Sequence, residues 1–115
     1  MTRGFGHVYI ETHNWEAAAA FWQRLGFELE FETDHRSGRL RNSADGSTIF
    51  LAEQPIEDPL GMEIYLSAAA GYEPAADVHV VSPFKSTHWG TEMMLIQDPD
   101  GRRFRIEAPL PDSAI

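Results

Sequence analysis

An internal duplication constrains the fold of this chain more than any other feature. The segment HVYIE begins at residue 7 and EIYLS begins at residue 63, so a shift of 56 residues pairs Tyr9 with Tyr65. The turn Asp45–Gly46 recurs as Asp100–Gly101 at a shift of 55, and a strand-like segment follows each copy. Two matches at nearly the same spacing predict two copies of one supersecondary unit.

The first copy has the pattern of a strand, a helix and three more strands. Residues 6–11 alternate as a half-buried strand does. Asn14 suits the N-cap of the helical segment WEAAAAFWQRLGF, and Gly26 suits its C-terminal end. Further strands are predicted over 27–33, with Phe27, Leu29 and Phe31 on one side, and over 39–42 and 47–53. The helical spacing predicts four core-facing positions, namely Ala18, Phe21, Trp22 and Leu25.

The second copy repeats the strands but not the helix. Strands are predicted over 62–67, 78–81, 91–97 and 102–108, whereas Gly71 and Pro74 interrupt residues 68–77 and permit at most a turn or two of helix. With 115 residues the chain is expected to be a single domain, 1–115. We therefore predict an α+β fold: two βαβββ modules, about 5–55 and 62–109, with the second helix reduced, forming a curved mixed sheet with a concave ligand cavity.

The two faces of the predicted sheet differ in chemistry. Because side chains alternate along a strand, one face carries apolar pairs that are expected to pack under the helix: Val8 and Ile10, Ile64 and Leu66, Phe104 and Ile106. The opposite face mixes aromatic and ionisable groups: His7, Tyr9, Glu11, Glu63, Tyr65, Ser67, Arg103, Arg105 and Glu107. Such a mixture suits a ligand cavity, and a plain solvated sheet face is the alternative.

Composition and missing motifs exclude several classes of function. The formal net charge of −9 argues against binding to nucleic acid and would attract cationic small molecules. The alternative interpretation is that this charge only keeps the protein soluble. The absence of cysteine excludes disulfides, thiolate nucleophiles and Cys-ligated zinc. No G-x-S-x-G, G-x-G-x-x-G or Walker motif occurs. The sequence shows no secretory leader and no apolar run of membrane-spanning length, so we expect a soluble, cytoplasmic protein.

Two segments carry a resemblance to a known family. FWQRLGFELEFE and WGTEMMLIQDPDGRRFRIEAP, together with the paired modules, resemble the vicinal oxygen chelate superfamily. This group contains glyoxalase I, extradiol dioxygenases, fosfomycin-resistance enzymes and bleomycin-resistance proteins. The resemblance covers nearly the whole chain, and it implies the fold more strongly than the reaction, because one fold hosts many functions.

The resemblance also provides a test for a metal site. Metal enzymes of the superfamily place ligands at four equivalent strand positions, which in this sequence are His7, Phe50, Glu63 and Arg105. Neither Phe50 nor Arg105 can ligate a metal. Glu107 lies on the same face as Arg105 but about 6.6 Å further along the strand, and a bulge between Gly101 and Glu107 would bring it closer. A metal-dependent lyase, isomerase or dioxygenase that holds a divalent metal ion with His7, Glu63 and Glu107 is therefore the alternative hypothesis. His7 and Glu63 could also form a general acid/base pair, or His7 could be a hydrogen-bonded strand histidine.

An arginine in place of the metal-binding carboxylate, together with the Trp89–Gly90 pair, most resembles the metal-free bleomycin-resistance branch. Members of that branch are non-catalytic dimers that enclose flat, cationic drugs in grooves lined with aromatic residues, and the resemblance implies the same for this chain. We therefore predict a metal-free protein without a cofactor, binding an aromatic or cationic small molecule in a dimer-built cavity, with a possible role in antibiotic resistance. A sensor or interaction module is a third possibility. The predicted ligand-binding residues are His7, Tyr9, Phe31, Phe50, Glu63, Tyr65, Trp89, Arg105 and Glu107, and no residue is predicted to be catalytic.

Two points within this prediction remain open at the sequence level. Trp89 either lines the cavity or packs its loop onto the core. The shortened second helix leaves one sheet face with less cover, and a second subunit is a natural replacement, so we expect a symmetric homodimer.

Overall fold

A computed structural model describes residues 1–111, which contain one helix and eight strands. Two compact units divide the chain: the first is His7–Glu63, and the second combines Met1–Gly6 with the residues from Ile64 onward. The elements are β1 (Phe5–Thr12), α1 (Trp15–Arg24), β2 (Phe27–Glu32), β3 (Ser37–Asn42), β4 (Thr48–Glu53), β5 (Met62–Ser67), β6 (His79–Ser86), β7 (Thr91–Gln97) and β8 (Arg103–Pro109). Within residues 1–111 no helix is long and apolar enough to cross a membrane.

Helix α1 begins and ends where the sequence predicts, but it buries a different stripe. The Asn14 side chain accepts a hydrogen bond from the Ala17 amide at 3.1 Å, and Gly26 follows the helix with φ 98°. Phe21 and Leu25, which were predicted to face the core, are 51% and 54% exposed. The stripe that meets the core is Trp15, Ala18, Ala19 and Trp22. This stripe has the same helical spacing as the predicted one but starts at Trp15. It therefore buries the large indole of Trp15, which the predicted stripe does not include.

The first unit forms a four-stranded sheet under α1. The strand order is β2–β3–β4–β1, with β1 parallel to β4 and the other pairs antiparallel. Leu40 and Leu51 are fully buried beneath the helix. Val8 and Ile10 pack against the same cluster, which confirms the predicted apolar face of β1.

A bulge in β2 corrects the predicted position of Phe31. The pairing of β2 with β3 shifts between Leu29 and Phe31, so that Leu29 lies opposite Leu40 and Phe31 lies opposite Arg39. Leu40 and Arg39 are neighbours on one strand and point to opposite faces. Phe31 therefore lies on the face away from the helix, and the prediction that it shares a side with Leu29 is wrong because one extra residue reverses the alternation.

The second unit repeats the same strand order without a helix. It runs β6–β7–β8–β5, with β5 parallel to β8. Residues 68–78 form turns rather than a helix, as Gly71 and Pro74 predict. In this unit Ala68 and Tyr72 pack onto a core made by Met94, Ile106 and Ala108. Part of the sheet face that was expected to need a second subunit is therefore covered by the chain itself.

Strand β6 is longer than the sequence predicts. The prediction ended at Val81, whereas the observed strand continues to Ser86 and includes Pro83. The pairing of β6 with β7 shifts on both sides of Ser82, so Pro83 lies within an irregular stretch. In its unit, β6 pairs only with β7. Proline is tolerated at such positions because its missing amide hydrogen removes no ladder hydrogen bond.

Strand pairing confirms the internal duplication. In the first unit Tyr9 lies opposite Phe50, and in the second unit Tyr65 lies opposite Arg105. These are the partners that the two sequence shifts align with one another. The α+β class and the organisation in repeated modules are thus confirmed.

Candidate functional site

In the first unit, three predicted aromatic residues form a row across the face away from the helix. The cross-strand partners Phe31, Arg39, Phe50 and Tyr9 follow one another over β2, β3, β4 and β1. The rings of Tyr9 and Phe50 are stacked with centroids 6.4 Å apart, and those of Phe31 and Phe50 are 6.3 Å apart. The guanidinium carbon of Arg39 lies 5.1 Å from the centroid of Phe31, within cation–π distance.

The charge in this row is already compensated. Glu30, the bulge residue of β2, accepts hydrogen bonds from Nε of Arg41 and Nε of Arg39, each at 2.9 Å. These two guanidinium groups, Arg41 foremost, hold the pKa of Glu30 below its ordinary value. The row therefore presents aromatic surface with a paired arginine.

In the second unit, the corresponding face holds a cavity of about 580 Å³. Its floor is Met93 and Leu95 of β7, the central strand of the three that line it. Lys85 and Ser82 of β6 lie on one side, and Arg105 of β8 lies on the other. The loop between β6 and β7 contributes the remaining lining residues, Thr87, His88 and Trp89, with Ser86 at its start. The volume lies within the range of small-molecule sites, about 300–1,000 Å³.

Trp89 is fixed in this loop by hydrogen bonds at both its backbone and its ring. Oγ1 of Thr87 accepts from the amide of Thr91 at 3.1 Å, and Gly90 takes φ 92°, which closes the hairpin. The indole Nε1 of Trp89 donates to Oε2 of Glu107 at 2.6 Å, and the ring of His88 meets the indole edge-on at 4.8 Å. Trp89 is 52% exposed and lines the cavity. A polar anchor thus holds an accessible aromatic surface in place.

The hairpin that carries Trp89 is an enlarged version of its counterpart in the first unit. Thr33 and Ser37 close the β2–β3 loop as Thr87 and Thr91 close the β6–β7 loop: in each, an amide donates to a backbone carbonyl at 2.8 Å. Ser37 precedes the row residue Arg39 by two positions, whereas Thr91 precedes the equivalent Leu95 by four. The second unit therefore has one additional row, Lys85–Met93–Glu107, and this row lies between the repeated row and the Trp89 loop.

Two of the four metal positions that the resemblance implies, Phe50 and Arg105, carry side chains that cannot ligate a metal ion. The register of β7 with β8 runs from Thr91 opposite Pro109 to Gln97 opposite Arg103 without a shift, so no bulge moves Glu107 toward the position of Arg105. Oε2 of Glu107 accepts from Trp89 and, at 2.8 Å, from Oγ1 of Thr91. Phe50 stacks on its neighbours and has no ligating atom. Within residues 1–111, no three histidine, aspartate or glutamate side chains form a group that could hold a metal.

The nine predicted ligand-binding residues are distributed over both units. Tyr9, Phe31 and Phe50 meet in the first unit. In the second unit Trp89 and Arg105 line the cavity, and Glu107 accepts a hydrogen bond from Trp89 without lining it. Tyr65 is buried beside Arg105 rather than exposed in the cavity. His7 and Glu63 are half-buried on β1 and β5.

Several residues that line the cavity, above all Lys85, were not predicted from the sequence. The strand predicted from the sequence ends at Val81, so the residues that follow it have no predicted face. Two signals point to them: Lys85 is the only lysine in the chain, and Pro83 is typical of a bulged or outer strand that continues beyond it.

Comparison with known proteins supports the architecture. No protein-family model and no curated protein matches the sequence. Among solved structures, a glyoxalase/bleomycin resistance protein/dioxygenase superfamily member from Vibrio splendidus 12B01 aligns with a TM-score of 0.60 at 23% identity, covering 89% of this chain and 96% of that one. Methylmalonyl-CoA epimerase from Mycobacterium tuberculosis aligns with a TM-score of 0.64 at 16% identity, covering 98% and 92%. The hypothetical protein BH1468 from Bacillus halodurans C-125 aligns with a TM-score of 0.64 at 15% identity, covering 90% and 92%. At these identities the similarity establishes the fold alone.

Proposed function

We propose that this chain, whose fold is that of the glyoxalase/bleomycin resistance/dioxygenase superfamily, is a metal-free binding protein for a small aromatic compound. The ligand occupies the cavity of the second unit and stacks on the indole of Trp89. Binding requires no catalytic group, and the protein acts by holding its ligand.

The observation that carries this proposal is the anchored, half-exposed indole of Trp89 over an apolar floor. Met93 and Leu95 offer a surface that excludes water from a flat ring, and an aromatic pair adds about 0.5–1.5 kcal/mol beyond the burial of area. Because Glu107 and the closed hairpin hold the ring in place, little side-chain entropy is lost on binding. The site is thus organised before the ligand arrives.

The identities of Phe50 and Arg105 support binding without a metal. Each stands at a position where the metal enzymes of this fold place a ligand, and neither side chain coordinates a divalent ion. The homodimer expected from the sequence is part of the proposal. Exposed apolar side chains favour it in the connecting segment of the first unit, which is defined here as residues 56–62 and ends at the first residue of β5: Ile56, Leu60 and Met62. A role in antibiotic resistance would follow if the ligand is a toxic compound that the protein sequesters.

A titration with a neutral aromatic probe, 2-naphthamide, tests the function. We expect binding to quench the fluorescence of Trp89, and we expect Trp89→Ala to abolish the binding that calorimetry measures for the parent. Phe21→Ala is the matched control, because Phe21 is an aromatic residue of nearly equal exposure on the helix of the first unit, outside the cavity. The proposal fails if Trp89→Ala binds the probe as the parent does, or if Phe21→Ala loses binding to the same degree.

A further inference from the structure

We propose that the cavity selects aromatic anions, and specifically that Lys85 and Arg105 bind the carboxylate of a flat aromatic acid whose ring stacks on Trp89. This inference rests on the proposed function, because it assigns the ligand class of the same cavity. It reverses the preference for cations that the net charge of −9 predicts.

The charged groups that line the cavity carry the inference. Lys85 and Arg105 are both cationic, His88 is the other ionisable group, and none of the lining residues is an aspartate or glutamate. The side chain of Lys85 makes no hydrogen bond or ion pair with any residue of 1–111, so its ammonium group is available to a ligand. A cationic compound would meet repulsion in this cavity, whereas a carboxylate would form charge-assisted hydrogen bonds.

Strand register places the two cations on opposite sides of the apolar floor. Lys85 lies opposite Met93, and Arg105 lies opposite Leu95, so the strands β6 and β8 that carry them flank β7. Two strand spacings together with the offset of two residues along β7 put the Cα atoms of Lys85 and Arg105 about 12 Å apart, and both side chains are long enough to converge on one ligand group between them. An aromatic ring over Met93 and Leu95 therefore presents its carboxylate to both cations.

Glu107 lies opposite Met93 on β8, and its carboxylate is engaged by two neighbouring residues. Its Oε2 atom accepts hydrogen bonds from Trp89 and Thr91, and it does not line the cavity. The carboxylate of Glu107 thus positions the indole, and the cationic side chains that line the cavity are those of Lys85 and Arg105.

The whole-protein charge does not cancel this local preference. Exposed charges further apart than about 8 Å are largely screened at physiological ionic strength, whereas a ligand carboxylate would contact Lys85 and Arg105 at hydrogen-bond distance. The excess of acidic residues therefore slows the approach of an anion more than it weakens the bound state.

Three probes of one shape and different charge test the inference by calorimetry: 2-naphthoate, 2-naphthamide and 2-naphthylmethylammonium. We expect 2-naphthoate to bind about tenfold more tightly than the neutral amide, the effect of one charge-assisted interaction, and the ammonium probe to bind most weakly. Lys85→Met should lower the affinity for 2-naphthoate about tenfold and change that for 2-naphthamide by less than about threefold. Arg103→Met is the control, because Arg103 lies two residues before Arg105 on β8 and does not line the cavity.

The outcomes separate this inference from the function on which it rests. If 2-naphthamide binds in a Trp89-dependent manner but the ammonium probe binds as tightly as 2-naphthoate, the anion preference is overturned and the aromatic site stands. The anion preference is overturned in the same way if Lys85→Met and Arg103→Met weaken the binding of 2-naphthoate equally. If none of the probes binds, both the proposed function and the inference fail.

Discussion

The indole of Trp89 donates a 2.6 Å hydrogen bond to the carboxylate of Glu107, and this bond joins the β6–β7 hairpin to the last strand of the second unit. From the sequence, these two residues have separate candidate roles, one as a wall of the cavity and the other as a metal ligand. In the structure they act together, because the carboxylate fixes the aromatic ring. The acid that would rescue a metal site is thereby engaged in organising a binding surface.

Removing the acceptor tests this relationship directly. In Glu107→Ala the indole loses its anchor, and a hydrogen bond to a charged acceptor contributes enough to predict a loss in affinity for 2-naphthamide of about tenfold. Glu107→Gln keeps an acceptor oxygen for the indole and should stay within about threefold of the parent. Calorimetric titration of both variants measures the difference, and equal affinities for Glu107→Ala and the parent would show that the bond does not organise the site.

Elemental analysis tests the metal-dependent alternative. We expect protein purified without chelator, from medium supplemented with manganese, nickel, iron or zinc, to contain no stoichiometric metal, because Phe50 and Arg105 offer no ligand. One equivalent of bound metal that disappears in both His7→Ala and Glu63→Gln would contradict this expectation and support an enzyme of the glyoxalase type. Arg103→Met serves as a control, since it alters a charge on β8 without touching a candidate ligand.

Gly38 lies at a tight crossing beneath the helix, which gives a prediction about stability. A Cβ atom at this position would lie 2.5 Å from the carbonyl oxygen of Phe31 and 2.9 Å from the ring of Trp15. Because a backbone atom of β2 would have to move, Gly38→Ala should lower the free energy of unfolding by about 3 kcal/mol. The control is Gly6→Ala, where the nearest atoms lie 3.6 Å from a Cβ and the expected change is below about 1 kcal/mol. Urea unfolding measures both, and equal stabilities would contradict the overpacking argument.

How much the sequence predicts depends on whether a feature is repeated or local. The duplication predicts that the two units are built alike, and the equivalent strand partners of Tyr9 and Tyr65 agree with this. The bulge before Phe31 depends on one shift of register, and the continuation of β6 past Pro83 depends on two. A bulge of one residue leaves no signal in the periodicity of the sequence. It nevertheless changes which face of the sheet each later residue of the strand occupies.

The same distinction explains the candidate site. The open face of each sheet is predictable from alternation, and Trp89 follows from the WG pair that the resemblance highlights. Lys85 is not among the predicted site residues, because the predicted strand ends at Val81. The predicted preference for cationic ligands therefore rests on the net charge of the whole chain. Net charge averages over a surface, whereas a ligand experiences the few groups that face it.

The expected homodimer gives a prediction about the connecting segment of the first unit. Ile56 and Met62 are 77% and 66% exposed, so a subunit contact there would bury apolar surface. Light scattering at micromolar concentration should give twice the monomer mass, and Ile56→Glu should shift the population toward monomer. Leu25→Glu, which places the same charge on an exposed apolar residue directly after the helix, is the control. A monomeric mass for the parent protein would disprove the dimer.

Acid unfolding should reveal the contribution of Glu53 on β4, which forms an ion pair with Arg36 and accepts a hydrogen bond from the start of the helix. Glu53 accepts hydrogen bonds from Arg36 and, at 2.9 Å, from the amide of Trp15, and these bonds, Arg36 foremost, hold its pKa below the ordinary value of 4.5. A carboxyl with a lowered pKa in the folded state stabilises the protein above its unfolded pKa, and this contribution is lost as the pH falls through the folded pKa. Glu53→Gln should therefore be less stable than the parent at neutral pH, and the difference should shrink in urea unfolding at about pH 3. The control Glu73→Gln removes the same charge at an exposed site and should match the parent in its free energy of unfolding at both pH values. If the free energy of unfolding of Glu53→Gln is lower than that of the parent by the same amount at both pH values, the effect comes from packing and not from charge.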